Sequence, residues 1–242
     1  MDNPAPTEEP DRHLRLAGTR NLRDVGGYRA GPDRVTRWRT LLRTDALDRL
    51  PKTSQSRLLA MGIGQVIDLR WPSELAERPS VFASSAAVRY LTVPLLDNPP
   101  APPEGLIRIY RRALDERGPE LASIVRALLA PGGLPAIIGC AGGIDRTGVT
   151  IALILTAVGV SAEVVAADYS MSSACFATDG RDGELDDWRA GSVAVDCRPE
   201  YMIETLRYLE TNLGGAAGML ALHGIGPGEI DELRERLTEP VG

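Results

Sequence analysis

Cysteine, histidine and lysine are almost absent from this chain. Its three cysteines (Cys140, Cys175 and Cys197) are odd in number and far apart, which gives neither a disulfide framework nor a CxxC zinc pattern. Two histidines (His13 and His223) add too few further ligands, so no metal and no other cofactor is expected. Lys52 is the only lysine among the basic residues, the rest being arginine. No apolar run is long enough to span a bilayer, and no stable membrane association is expected. A formal charge of −6 argues against a broad nucleic-acid surface while leaving room for a local basic pocket. The start MDNPAPTEEPDR has neither the basic n-region nor the apolar core of a signal peptide. Residues 1–12 are expected to be a disordered lead-in to a cytoplasmic protein.

What is present suits a globular protein: 43% hydrophobic and 25% charged residues over 242 positions, without repeats or a dividing linker. One domain over residues 13–242 is expected. GGYRAGPDRVTRW predicts a hairpin turning at 31–33, with a strand around 39–43 after it. TSQSRLLAMG predicts a helix with Thr53 as N-cap and Gly62 past its end. QVIDL and VRYLTV are short β-branched strands flanking PSELAER, a helix with proline in its first turn. The proline-rich stretch LDNPPAPPEG is a loop, and helices are expected over 106–115 and 120–129. LPAIIGC is an apolar strand, TGVTIALILTAVG an interior helix, SAEVVAADYSMSSA a capped helix, and 199–213 and 228–237 close the chain as helices. Short apolar strands alternating with helices predict an α/β fold: a central, mostly parallel sheet flanked by helices. A C-terminal helical cap or lid is expected, with 171–198 as its candidate segment.

The chemistry is concentrated in CAGGIDRTG, which follows the apolar strand and opens the interior helix. Sites in open parallel sheets collect where a strand turns into the next helix, and Cys140 stands there. The turn over 141–146 (Ala141, Gly142, Gly143, Ile144, Asp145, Arg146) would direct backbone N–H groups inward, beside the positive end of a helix dipole. Gly142 and Gly143 permit the close approach and positive φ that such an anion nest requires. Arg146 offers a planar fork for two phosphate oxygens. The same positive field favours a charged sulfur at Cys140, which is the nucleophilic form, and Thr147 is placed to hydrogen-bond it.

This loop resembles the phosphate-binding loop of the cysteine-dependent protein tyrosine phosphatases. More narrowly, the chain is similar to the bacterial tyrosine/serine and lipid phosphatase family. NLRDVGGY, RTLLRTDAL, LLAMGIGQVIDLRWPSE, DYSMS and HGIGPGEIDELRERL follow that family's blocks in order, over about residues 16–237. The resemblance implies metal-independent hydrolysis of phosphate monoesters through a phosphocysteine, with Cys140 as nucleophile, Arg146 as phosphate ligand and Asp145 as candidate proton donor. Two positions depart from the family. Gly139 stands where histidine usually precedes the cysteine, which implies a low basal activity. Ile144 stands where relatives accepting phosphoinositides tend to carry lysine, which points to phosphotyrosine or a small organic phosphate as substrate.

Other candidates stay open at this level. Asp68, at the end of QVIDLR, and Asp97, in the proline-rich loop, are alternative acids, although Asp68 would equally serve as a partner of Arg70. Arg23 and Asp24 are read as a pair fastening the N-terminal segment beneath the loop. Cys175 and Cys197 are read as inert, and His223 as a capping or packing residue. The polar stretch 180–198, with Trp188 and several charges, is a surface loop or a lid. A phosphorylated biosynthetic metabolite as substrate, or a catalytically weak phosphate-binding module, are the alternative functions. The sequence does not reveal an oligomeric state.

Overall fold

The structure is a computed structural model that describes residues 11–96, 103–177 and 196–241. Its centre is a five-stranded sheet in the order β1 (Arg23–Asp24), β3 (Leu41–Thr44), β6 (Ala136–Gly139), β4 (Gln65–Asp68) and β5 (Arg89–Thr92). Four of these strands are parallel, and only the edge strand β1 runs antiparallel, against β3. A second, two-stranded sheet pairs β2 (Arg34–Thr36) with β7 (Thr238–Pro240). The α/β architecture with a mostly parallel sheet is therefore present as expected.

The sheet separates two apolar clusters, and the period-two alternation of its strands feeds both. Leu41, Ile67, Ala136 and Ile138 face the larger cluster, while Leu42, Val66 and Ile137 face the smaller. Strands buried on both faces read as unbroken apolar runs, which is why β6 was visible in the sequence. The larger cluster is covered by α3 (Pro103–Glu116), α4 (Gly118–Leu129), α5 (Asp145–Ala157), α6 (Ala162–Ala177), α7 (Pro199–Leu213), α8 (Gly215–Leu222) and α9 (Pro227–Leu237). The smaller is covered by α1 (Lys52–Ala60) through Leu58, with Phe82 and Val88 from the chain between β4 and β5. The helix α2 (Pro72–Glu77) follows β4 at the rim.

Three local expectations change. Thr53 is inside α1, whose N-cap is Pro51, so proline's fixed φ rather than a side-chain cap starts this helix. The hairpin does turn at 31–33, but β2 finds its ladder partner in β7, a strand too short to show a period. The last third also contains α8, which Gly214 (φ 71°) separates from α7. His223 ends α8; its carbonyl accepts from Arg126 and its ring lies against Gly118, where an added Cβ would fall 1.8 Å from Nε2. Residues 1–10 of the expected lead-in and 178–195 of the expected lid lie outside the described residues, as does Asp97. Arg12 is anchored: it donates to the carbonyl of Asp24 at 2.9 Å and lies 3.9 Å from the centre of the Tyr28 ring.

Candidate active site

Cys140 is the first residue beyond β6 and is 3% exposed. The neighbouring strands end level with it, because Gly139 pairs with Thr44 on one side and Asp68 on the other. Between Cys140 and α5 the backbone makes one tight turn, three of whose carbonyls are bound by residues outside it. The Asn21 side-chain amide donates to the carbonyls of Gly142 (3.0 Å) and Gly143 (3.1 Å). Arg43 donates to Gly143 at 2.7 Å, and the Ala46 N–H to Ala141 at 3.1 Å. In a trans peptide the N–H points opposite to its C=O. The amides of Gly142, Gly143 and Ile144 therefore face the other way, and among the described residues no protein group accepts from them. They join the free first-turn N–H groups of α5 in a concave ring of donors. Gly143 has φ +66°, and a Cβ there would come 2.5 Å from the Thr44 carbonyl oxygen, so this position tolerates only glycine. The Ile144 side chain is buried in the larger core cluster, leaving its backbone to the turn.

Beneath the turn is a buried polar network that sequence reasoning located only in part. Arg23 donates through Nε to Asp168 at 3.1 Å, Arg43 donates to the other carboxylate oxygen at 2.5 Å, and Tyr28 donates to Asp168 at 2.9 Å. Arg23 also reaches the Ser172 hydroxyl at 3.1 Å and the Asn21 side-chain oxygen. Burial pushes the Asp168 carboxyl up, but the Arg23 and Arg43 guanidinia overcome it and hold the group well below the usual carboxylate range. Two arginines against one carboxylate leave net positive charge under the donor ring. Arg23 does fasten the N-terminal segment beneath the loop, but its partner is Asp168 and not Asp24. Asp24 instead accepts the N–H groups of Gly26 (2.8 Å) and Arg39 (2.7 Å). The clue lies in charged residues inside apolar patterns: Arg43 in LLRT and Asp168 directly after the apolar run VVAA.

Arg146 lies in the first turn of α5. Glu74 takes one edge of its guanidinium, with 2.5 Å and 2.8 Å contacts to the two terminal nitrogens. The second hydrogen of one terminal nitrogen reaches the Leu69 carbonyl at 3.4 Å, which leaves the Nε edge as an open two-donor fork. Trp71 stacks 4.9 Å from the guanidinium carbon. Glu74 also accepts the Trp71 N–H at 2.8 Å, so WPSE starts a helix and aims an arginine with the same carboxylate. Burial favours the neutral form of Glu74, but its bonds to Arg146 and Trp71 prevail and hold its carboxyl below the usual range.

The candidate acids are in different surroundings. Asp145 opens α5 and accepts the buried Tyr110 hydroxyl at 2.6 Å. Asp68 has both oxygens engaged: Arg70 contacts them at 3.0 and 2.8 Å, the Arg70 N–H at 3.1 Å, and the Tyr90 hydroxyl at 2.8 Å. The Thr147 hydroxyl is buried without a hydrogen-bond partner among the described residues. A further carboxylate, Asp45, was not anticipated. It accepts the N–H groups of Arg20 (3.0 Å) and Asn21 (3.1 Å), and burial raises it to about 6. Asp45 and Asp68 share a small open cavity with Thr44, Gly139 and Cys140. None of the three cysteines is in a disulfide, and burial pushes the Cys175 thiol up.

Comparison with known proteins gives this arrangement its context. The model of the tyrosine phosphatase family matches residues 14–239. The chain belongs to this family. The phosphatase is 26% identical over 217 residues to a tyrosine-protein phosphatase of Nostoc commune, covering 82% of this chain and 74% of that one. It is 29% identical over 194 residues to the triple specificity protein phosphatase PtpB of Mycobacterium tuberculosis, covering 65% and 68% of the two chains. Among solved structures, TpbA of P. aeruginosa superposes with a TM-score of 0.39 at 20% identity, over 60% of this chain and 78% of that one. No helix among the described residues is long and apolar enough to cross a membrane.

Proposed function

We propose that this phosphatase hydrolyses phosphate monoesters in two steps at Cys140, by way of a phosphocysteine. The observation that carries the reading is the orientation of the turn after Cys140: its carbonyls are taken by Asn21 and Arg43, which leaves the amides of Gly142, Gly143 and Ile144 and the Nε edge of Arg146 without an acceptor among the described residues. Such a cradle matches the equatorial oxygens of a phosphoryl group in transfer, where charge must be met without reorganisation. The sulfur attacks phosphorus in line, the P–O bond to the leaving group breaks, and Asp145 gives that oxygen a proton. Asp145, now ionised, takes a proton from water as it attacks the phosphocysteine, which releases phosphate and restores the thiolate. Asp145 is preferred over Asp68 because every oxygen of Asp68 is already bound by Arg70 and Tyr90. The whole site lies in one domain over residues 13–242, and no metal takes part in either step.

For the substrate we favour phosphotyrosine or a small aryl or organic phosphate. The names of the two curated relatives support a protein substrate, while the buried Ile144 puts no extra charge at the rim for a polyphosphorylated headgroup. The test is phosphate release from p-nitrophenyl phosphate in EDTA, comparing the native protein with Cys140→Ser. Release that persists in EDTA and vanishes in the serine variant supports the thiolate mechanism. Release unchanged in the serine variant overturns it. Phosphotyrosine peptides set against small phosphorylated metabolites then rank the substrate classes.

A further inference from the structure

Asp145 is the end of a chain of hydroxyls. Tyr110, on α3 and fully buried, donates to its Oδ1 at 2.6 Å, and the Tyr169 hydroxyl of α6 lies 2.8 Å from that of Tyr110. The two rings meet edge to face, with centroids 6.1 Å apart at 82°. A phenol has a single proton to give. With the Tyr110 proton committed to Asp145, the bond between the phenols must run from Tyr169 to Tyr110. Burial, reinforced by the Asp145 charge, pushes the Tyr110 phenol well above its usual range. It therefore stays a donor wherever the enzyme works.

We propose that Tyr110 is a positioning residue for the proton donor. It occupies Oδ1, fixes the plane of the carboxyl group, and so assigns the transferable proton to Oδ2. This rests on the reading of Asp145 as the acid. In the first step the Oδ2–H bond breaks, and its proton passes to the departing oxygen as the P–O bond breaks and the S–P bond forms. In the second step the water proton returns to Oδ2. Oδ1 keeps its hydrogen bond from Tyr110 throughout, so the carboxyl group need not turn between steps. The arrangement also ties the acid to α3 and α6, two elements outside the phosphate loop.

A positioning role has a signature that a packing role lacks, because proton donation matters most when the leaving group is poor. Positioned general acids contribute ~10²–10⁴-fold, and a misaligned one should lose about tenfold. The experiment compares kcat/KM of the native enzyme and Tyr110→Phe on phenyl phosphate, whose leaving phenol has an ordinary pKa of about 10, and on p-nitrophenyl phosphate, whose leaving group is far more acidic. The expected result is a loss of about tenfold on phenyl phosphate and about threefold or less on p-nitrophenyl phosphate. Adding Tyr110→Phe to Asp145→Asn should cause no further steepening. Equal losses on the two substrates, or none on either, would overturn the proposal. Asp145→Asn losing no more on phenyl than on p-nitrophenyl phosphate would instead remove Asp145 as the acid, and the proposal with it. Should Tyr110→Phe not fold, Tyr169→Phe removes the donor to Tyr110 and should show the same ordering of losses on a smaller scale. Equal losses in that variant would overturn the proposal as well.

Discussion

Gly139 stands immediately before Cys140 at the end of β6, and its surroundings allow a quantitative prediction. A Cβ built there falls 2.6 Å from Thr44 Cγ2, 3.1 Å from the Thr44 carbonyl oxygen and 3.3 Å from that of Asp45. Carbon atoms in good contact are ~3.5–4.0 Å apart, so the methyl of Gly139→Ala would sit about 1 Å too close to Thr44 Cγ2. Thr44 is 1% exposed and cannot swing into solvent. Overpacking of this kind costs about 1–3 kcal/mol. Thr44→Ser removes the opposing methyl and by itself should cost about 1 kcal/mol, as small deletions in a core do. In the double variant the two changes fit each other, and a coupling of about 1 kcal/mol or more is expected. Urea unfolding of the four proteins measures it. The same cycle should appear in kcat/KM, because the Thr44 carbonyl packs against Gly143 and any push on it reaches the turn after Cys140. Refutation would be Gly139→Ala with native stability, or effects that add within about 0.5 kcal/mol. If the coupling is found, Thr44 rather than chance excludes a side chain before Cys140.

Two further outcomes follow from the buried charges. Asp168→Asn leaves Arg23 and Arg43 without their shared carboxylate, and breaking a buried pair from one side costs about 3–5 kcal/mol; a loss under 1 kcal/mol in urea unfolding would show the network to be loosely held. The pH dependence has two limbs of opposite sign. The raised carboxyl of Asp45, at about 6, favours the folded state at low pH, and that contribution is lost as pH rises through 6, by about 1.4 kcal/mol between pH 5 and 7.5. The depressed carboxyl of Asp168 stabilises above about pH 4 and is lost as pH falls below it. Stability should thus peak near pH 4, and Asp45→Ala should flatten the slope between pH 4 and 6; an unchanged slope would contradict the assignment.

The parts of this molecule that were legible in the sequence are those written in a local code. β6, α5 and the turn between them follow from an apolar run, two glycines and a second apolar run, and α7 matched its expected bounds because Pro199 and Gly214 mark its ends. Cys140 and Arg146 stand out as candidates because their spacing is fixed within one turn. What escaped was non-local. Asn21, Arg43, Asp168 and Glu74 come from four distant stretches, and nothing in any one stretch says that they meet. Each had been quoted as part of a family block without a physical role. Tyr110 was hidden differently, inside a helix whose apolar face accounts for a buried aromatic residue without further explanation. β7 was lost because a three-residue strand carries no periodic signal.

The way the Cys140 turn is held has a consequence for engineering. Its curvature is imposed by Asn21 from the N-terminal segment, by Arg43 from β3 and, through that arginine, by Asp168 from α6. The nine residues CAGGIDRTG, grafted between a strand and a helix of another scaffold, would carry Cys140 and Arg146 but not the mould. Two adjacent glycines without those clamps sample many conformations, and the ordering cost the parent fold meets in advance would fall on each binding event. The transferable unit is the loop together with its three clamps. A designer who wants this chemistry elsewhere has to move four pieces of chain in register.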